Sequence, residues 1–150
     1  MFNALFPVVN RPYHAGRAPL FFLVLIAFTG TGRSLVHLLA PDSGAGIIAG
    51  IDLSVAGGAN IVSLAGQWGA SQLVLALLQW LVVLRYRFLV PAMLAVVVLE
   101  QLLRILAGRL KPLQIDTPPP GAYGTYVALA LGLVFLVLAL RNSRAGHHGA

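Results

Sequence analysis

The chain contains no cysteine, and among its 150 residues only four are acidic, a single one of them a glutamate. The lack of cysteine excludes disulfides, thiolate metal sites and thiol catalysis, and leaves the redox compartment open. Charge of either sign is scarce at 9% of residues, against about 25% in soluble domains. No internal repeat is visible. What fills the chain instead is apolar: 59% hydrophobic residues and a mean hydropathy of +0.88, which place it in the membrane class. The net charge of +6 would point to nucleic acid in a soluble protein. Here the arginines gather at the ends of apolar segments, so topology and anionic lipid head groups account for them and no nucleic-acid partner is expected.

A span needs about 20 mostly apolar residues. Four such runs are expected, at about 18–40, 67–84, 88–108 and 122–140. The first 17 residues are short, mixed and basic; Phe2, Leu5 and Phe6 suit an interface, and Pro7, Pro12 and Pro19 oppose a long helix there. The run from Ala18 to Ala40 is longer than the apolar core of a signal peptide, so no cleavable leader is expected. Pro41-Asp42-Ser43-Gly44 marks a stop and turn. Residues 41–66, with Asp52, Asn60 and several glycines, are expected to lie on or dip into the outer face and to lid what lies below. Pro118-Pro119-Pro120-Gly121 makes a stiff connection before the last span, and the tail from Arg141 is expected to be disordered. Gly124, Ala128 and Gly132 form a small-residue ridge suited to close helix packing.

Arg11, Arg17, Arg85, Arg87, Arg141 and Arg144 fall on one side of a four-span arrangement, which should then be cytoplasmic, with both termini. The opposite side holds Arg109 and Lys111, partly offset by Asp42, Asp52 and Asp116. In that arrangement the polar side chains of all four spans fall in the outer half. Glu100 and Arg104 lie one helical turn apart within span 3 and can pair. Thr29, Arg33 and His37 share a face of span 1; Trp68, Gln72 and Gln79 form a stripe on span 2. A charge at mid-bilayer costs roughly 2.5–3.5 kcal/mol on insertion scales, so such groups should face protein or water.

Several chemistries are excluded or disfavoured. Thr29-Gly30-Thr31-Gly32-Arg33-Ser34 lacks the lysine and the strand-to-helix setting of a phosphate loop. His37 is the one histidine inside a span, so a bis-histidine haem site fails. His147-His148 is too short for a metal site. No cofactor, metal or catalytic residue is assigned. The candidate ligand-binding residues are Arg33, His37, Gln72, Glu100, Arg104 and Tyr126; Trp68, Tyr123 and Tyr126 also read as interface anchors.

Arg33 late in span 1, Gly66-Gln67-Trp68-Gly69 at the start of span 2, the Arg85-Tyr86-Arg87 turn and Glu100-x-x-x-Arg104 in span 3 together resemble the DoxX-like group of small bacterial four-helix membrane proteins. The resemblance implies a four-helix bundle in the inner membrane and no settled activity. The resulting expectation is an all-α, polytopic four-helix bundle with a Gly-rich outer-face segment between helices 1 and 2. It would bind a lipid-like or other amphipathic molecule in an outer-half polar cavity, with membrane lipids and a homo-oligomer or membrane-complex subunit as further partners. A proton-coupled transporter, a lipid-modifying enzyme and a structural subunit are the alternatives.

Overall fold

The structure, a computed structural model, describes residues 7, 9, 12–115 and 118–148, with side chains through residue 145. The expectations for Phe2, Leu5, Phe6, Arg11, Asp116, His147 and His148 concern positions or side chains outside the described residues. Four long helices follow one another: α1 (Arg17–Leu39), α2 (Gly58–Leu84), α3 (Val90–Leu110) and α4 (Pro120–His148), with a 3-10 turn at Arg87–Leu89 before α3. All four are long and apolar enough to cross a membrane. There is no strand among the described residues.

Local sequence explains most of the boundaries. Ala40 is extended (φ −67°, ψ 144°) and ends α1, as the residue before a proline prefers. Pro91 sits in the first turn of α3, where its missing N–H costs nothing. Pro120 opens α4 for the same reason. Two helices run past the expected span limits. The helix that carries the second span begins at Gly58, ahead of residue 67. Gly57 turns the chain with φ +91°, and Gly58 is pressed so closely on the Leu53 carbonyl that any Cβ would overlap it. The last helix does not stop at 140 but continues to His148, so the tail expected to be disordered is helical. No proline interrupts Arg141–Arg144, and helix formation does not require an apolar face once the segment clears the hydrocarbon.

α1 packs chiefly on α2 and α3 on α4, giving two antiparallel hairpins whose mutual contact is sparser. In lipid there is little hydrophobic drive for helices to associate, so close van der Waals approach has to hold them. Gly69 supplies such an approach: a Cβ there would lie 2.6 Å from the His37 Cβ and 3.0 Å from backbone atoms of His37 and Leu38. Phe22, Leu23, Val82, Val83, Val90, Leu94, Val97 and Ala139 form a buried apolar core at the end where α1 begins and α4 finishes. Phe22 and Phe135 stack there with centroids 4.6 Å apart. That end is also latched: Asn142 Nδ2 donates to the Ala15 carbonyl over 3.0 Å.

The connection between α1 and α2 is a compact set of turns. The Asp42 carboxylate accepts from the backbone N–H of Gly44 (2.9 Å), Gly46 (3.1 Å) and Ile47 (2.7 Å). These bonds hold it below the usual aspartate range, that of Ile47 contributing most. Asp52 is likewise lowered by Ser54, which donates from both its hydroxyl and its N–H.

Candidate functional site

At the other end of the helices, where α1 finishes and α4 begins, the packing is incomplete. A cavity of about 190 Å³ is walled by Thr29, Gly30 and Arg33 of α1, Gln72, Ala76 and Gln79 of α2, Glu100, Gln101 and Arg104 of α3, and Gly121, Gly124, Thr125 and Ala128 of α4. Apart from the adjacent pairs Thr29-Gly30, Glu100-Gln101 and Gly124-Thr125, consecutive residues of this set on each helix are three or four apart, the period of one face. The polar residues thus collect on the inward face of four otherwise apolar helices.

Two guanidinium groups dominate the site. Arg33 Nη2 donates to Gln72 Oε1 over 3.0 Å. Arg104 Nε lies 3.1 Å from Glu100 Oε1, within ion-pair distance. Its N–H is not directed at that oxygen, so the contact is electrostatic rather than an aligned hydrogen bond. Gln101 Nε2 donates to the other Glu100 oxygen over 3.3 Å. Both arginines also lie over the Trp68 ring, each Cζ 4.9 Å from its centroid. An indole face attracts cations, by about 0.5–1 kcal/mol at exposed sites and about 2 kcal/mol or more when desolvated, and Trp68 is 39% exposed. Trp68 is therefore the platform on which α1 and α3 bring two like charges together.

His37 stands behind that platform. Its ring meets Trp68 edge-on, with centroids 4.8 Å apart. Its Nδ1 lies 2.7 Å from the Ser43 carbonyl. A carbonyl only accepts, so Nδ1 carries the proton in this contact. His37 thus ties the α1–α2 turn to the site without lining the cavity.

Of the residues singled out in the sequence, Arg33, Gln72, Glu100 and Arg104 stand together at the cavity. Tyr126 does not: its side chain is 56% exposed, while its neighbour Thr125 is buried against the cavity. No residue of 41–66, the segment expected to lid the site, lines the cavity, and Asp42 and Asp52 are engaged locally. The small-residue ridge divides in two. Gly132 packs against Val98, whose Cγ2 is 3.2 Å from where a Cβ would be, but Gly124 has open space and serves as cavity wall. Trp68 and Gln79 were not among the candidate ligand residues, although their shared stripe with Gln72 carried the signal.

The charges do not cancel. Arg33 and Arg104 face one carboxylate, Glu100, leaving one positive charge in excess at the cavity. Hydrogen bonding is also incomplete: Arg104 Nε and Nη2 lack acceptors and Gln79 Oε1 lacks a donor, though all three atoms are buried. Such groups in an apolar setting cost about 1–3 kcal/mol each unless something satisfies them. Buried Ser34 Oγ on α1 also lacks a partner, whereas Trp80 Nε1 donates to Thr31 Oγ1 (3.0 Å), which donates on to the Ala27 carbonyl (2.7 Å). Among the described residues no group of three histidine or acidic side chains is placed to hold a metal ion. Comparison with protein-family models, curated proteins and solved structures finds no match to this chain.

Proposed function

We propose that this protein is a non-enzymatic, four-helix bundle of the bacterial inner membrane that binds the polar head of an amphipathic molecule in the cavity between its two hairpins. The observation that carries this reading is the excess cation: two arginines, one glutamate and unsatisfied polar atoms line a half-open cavity among apolar helices. An anionic or strongly polar head supplies what the site lacks, and a hydrocarbon tail suits the surroundings. The closely packed Phe22, Leu23, Val82, Val83, Leu94 and Val97 at the opposite end favour a one-ended binding site over a transport path. Arg17, Arg85, Arg87, Arg141 and Arg144 lie at that apolar end. By the excess of basic residues on cytoplasmic segments, it and both termini face the cytoplasm in this reading.

The test is native mass spectrometry of the protein extracted gently from its own membrane, with Arg33→Ala and Glu100→Ala beside the wild type. A small molecule retained by the wild type and lost from folded Arg33→Ala supports the reading. A clean apo mass for the wild type, with both variants merely unfolded, overturns it and makes the charges structural.

A further inference from the structure

If the cavity holds the head of an amphiphile, as proposed above, its walls specify that head more narrowly. The charge count asks for one negative charge, because Arg33 and Arg104 are offset by Glu100 alone. The donor count asks for at least one acceptor, because Arg104 Nη2 has none. The acceptor count asks for a donor: Gln79 Oε1, on a residue only 3% exposed, and Glu100 Oε1 both lack one, and only the Glu100 oxygen has a cation beside it to compensate. Gln79 and Gly30 both line the cavity, so the Gln79 oxygen borders the space a ligand would fill. Trp68 already carries two guanidinium groups and offers nothing to a ligand cation.

These requirements sort the amphiphiles by chemistry. A carboxylate head balances the charge but brings no donor. A phosphomonoester brings up to two negative charges and overshoots the single excess cation. A zwitterionic phosphocholine head carries a quaternary ammonium into a cationic cavity. A phosphodiester with a hydroxylated substituent has one negative charge, two non-bridging acceptor oxygens and a donor. We infer that the cavity takes the head of a monoanionic phosphodiester lipid that carries a free hydroxyl. The phosphate oxygens lie against the arginines, where charge-assisted bonds to a guanidinium are strongest. The hydroxyl donates to Gln79. The acyl chains leave past Gly121 and Gly124, where a Cβ would meet nothing within 4 Å and the α4 wall is correspondingly low.

The experiment is lipid exchange on the delipidated full-length protein in detergent, read by native mass spectrometry. The probes are phosphatidylglycerol, phosphatidylmethanol (a monoanionic diester without the hydroxyl), phosphatidylcholine and oleate at equal concentration, with deacylated glycerophosphoglycerol as a soluble competitor. Phosphatidylglycerol is expected to be retained about tenfold or more above phosphatidylcholine, and severalfold above phosphatidylmethanol and oleate. Gln79→Leu should remove its advantage over phosphatidylmethanol while leaving both above phosphatidylcholine, and Arg104→Gln should weaken both. Equal retention of phosphatidylcholine and phosphatidylglycerol overturns the monoanion, while binding of either lipid leaves the broader amphiphile reading standing. Equal retention of the two diesters overturns the hydroxyl. Displacement by the soluble diester at the concentration of the lipid overturns the lipid source. Failure of every probe to bind overturns the inference and the broader reading together. The wild-type comparison decides these points even if a variant fails to fold.

Discussion

Replacing Glu100 with glutamine removes one charge and almost no volume, and it tests the electrostatics of the site directly. In the native protein the carboxylate is 3.1 Å from Arg104 Nε. At an effective dielectric of about 20, opposite charges some 4 Å apart attract by about 4 kcal/mol before desolvation. Both arginine Cζ atoms lie 4.9 Å from the same ring centroid, so they are at most twice that distance, about 10 Å, apart. Their repulsion is then at least about 1.7 kcal/mol on the same scale. The side chains of Arg104 and Glu100 retain 21% and 18% exposure, so water relaxes part of both effects. A net loss of about 2–4 kcal/mol is expected for Glu100→Gln, toward the range for breaking a buried pair from one side. The double variant Glu100→Gln/Arg104→Gln leaves a single cation and two amides able to bond each other. It should recover about 2 kcal/mol of that loss, a coupling typical of residues in one network. The assay is equilibrium unfolding of the purified protein in mild detergent, run as a double-mutant cycle after removal of bound lipid. A Glu100→Gln protein within about 0.5 kcal/mol of wild type, or a double variant no more stable than the single, refutes the claim that Glu100 restrains two cations at close quarters.

Two further outcomes are expected. Gly69→Ala forces a Cβ to 2.6 Å from the His37 Cβ and to 3.0 Å from α1 backbone, and should destabilise by about 1–3 kcal/mol, whereas Gly124→Ala meets open space and should be neutral or stabilising by up to about 1 kcal/mol in the same unfolding assay. Asp42 has its carboxyl lowered by the Ile47, Gly44 and Gly46 N–H groups, so the α1–α2 turn is held above the ordinary aspartate pKa and released as pH falls below it; at neutral pH, Asp42→Asn should speed hydrogen exchange of those three amides and leave the helix interiors unchanged.

The four helices were legible in the sequence because long apolar runs have few alternatives. The start of α2 was not, because Gly57, Gly58 and Asn60 read as a break in a span. In the structure Gly57 makes the turn and the helix simply starts early, with 27 residues in all. At 1.5 Å per residue that is about 40 Å, longer than a hydrocarbon core of about 30 Å. Polar residues in the first turns of such a helix need not enter the hydrocarbon. The end of α4 was misread for a related reason: polarity marks the limit of a span, not the limit of a helix. At the site the ionisable residues stood out, since Arg33, Glu100 and Arg104 interrupt apolar runs. Trp68 was hidden by its type, because a tryptophan near a span end suits an interface equally well, and only the position of α1 and α3 reveals it as a platform. Tyr126 and Thr125 differ by about 100° around α4, and the sequence alone did not say which of them faces inward.

The bond from Asn142 to the Ala15 carbonyl joins positions 127 residues apart. During synthesis the segment around Ala15 emerges long before α4 exists, so this bond cannot form until that helix has been threaded. Side-chain bonding at that latch therefore reports the arrival of α4. A ribosome stalled in α3 should leave the stretch at 12–16 open to protease, and release of the finished protein should close it.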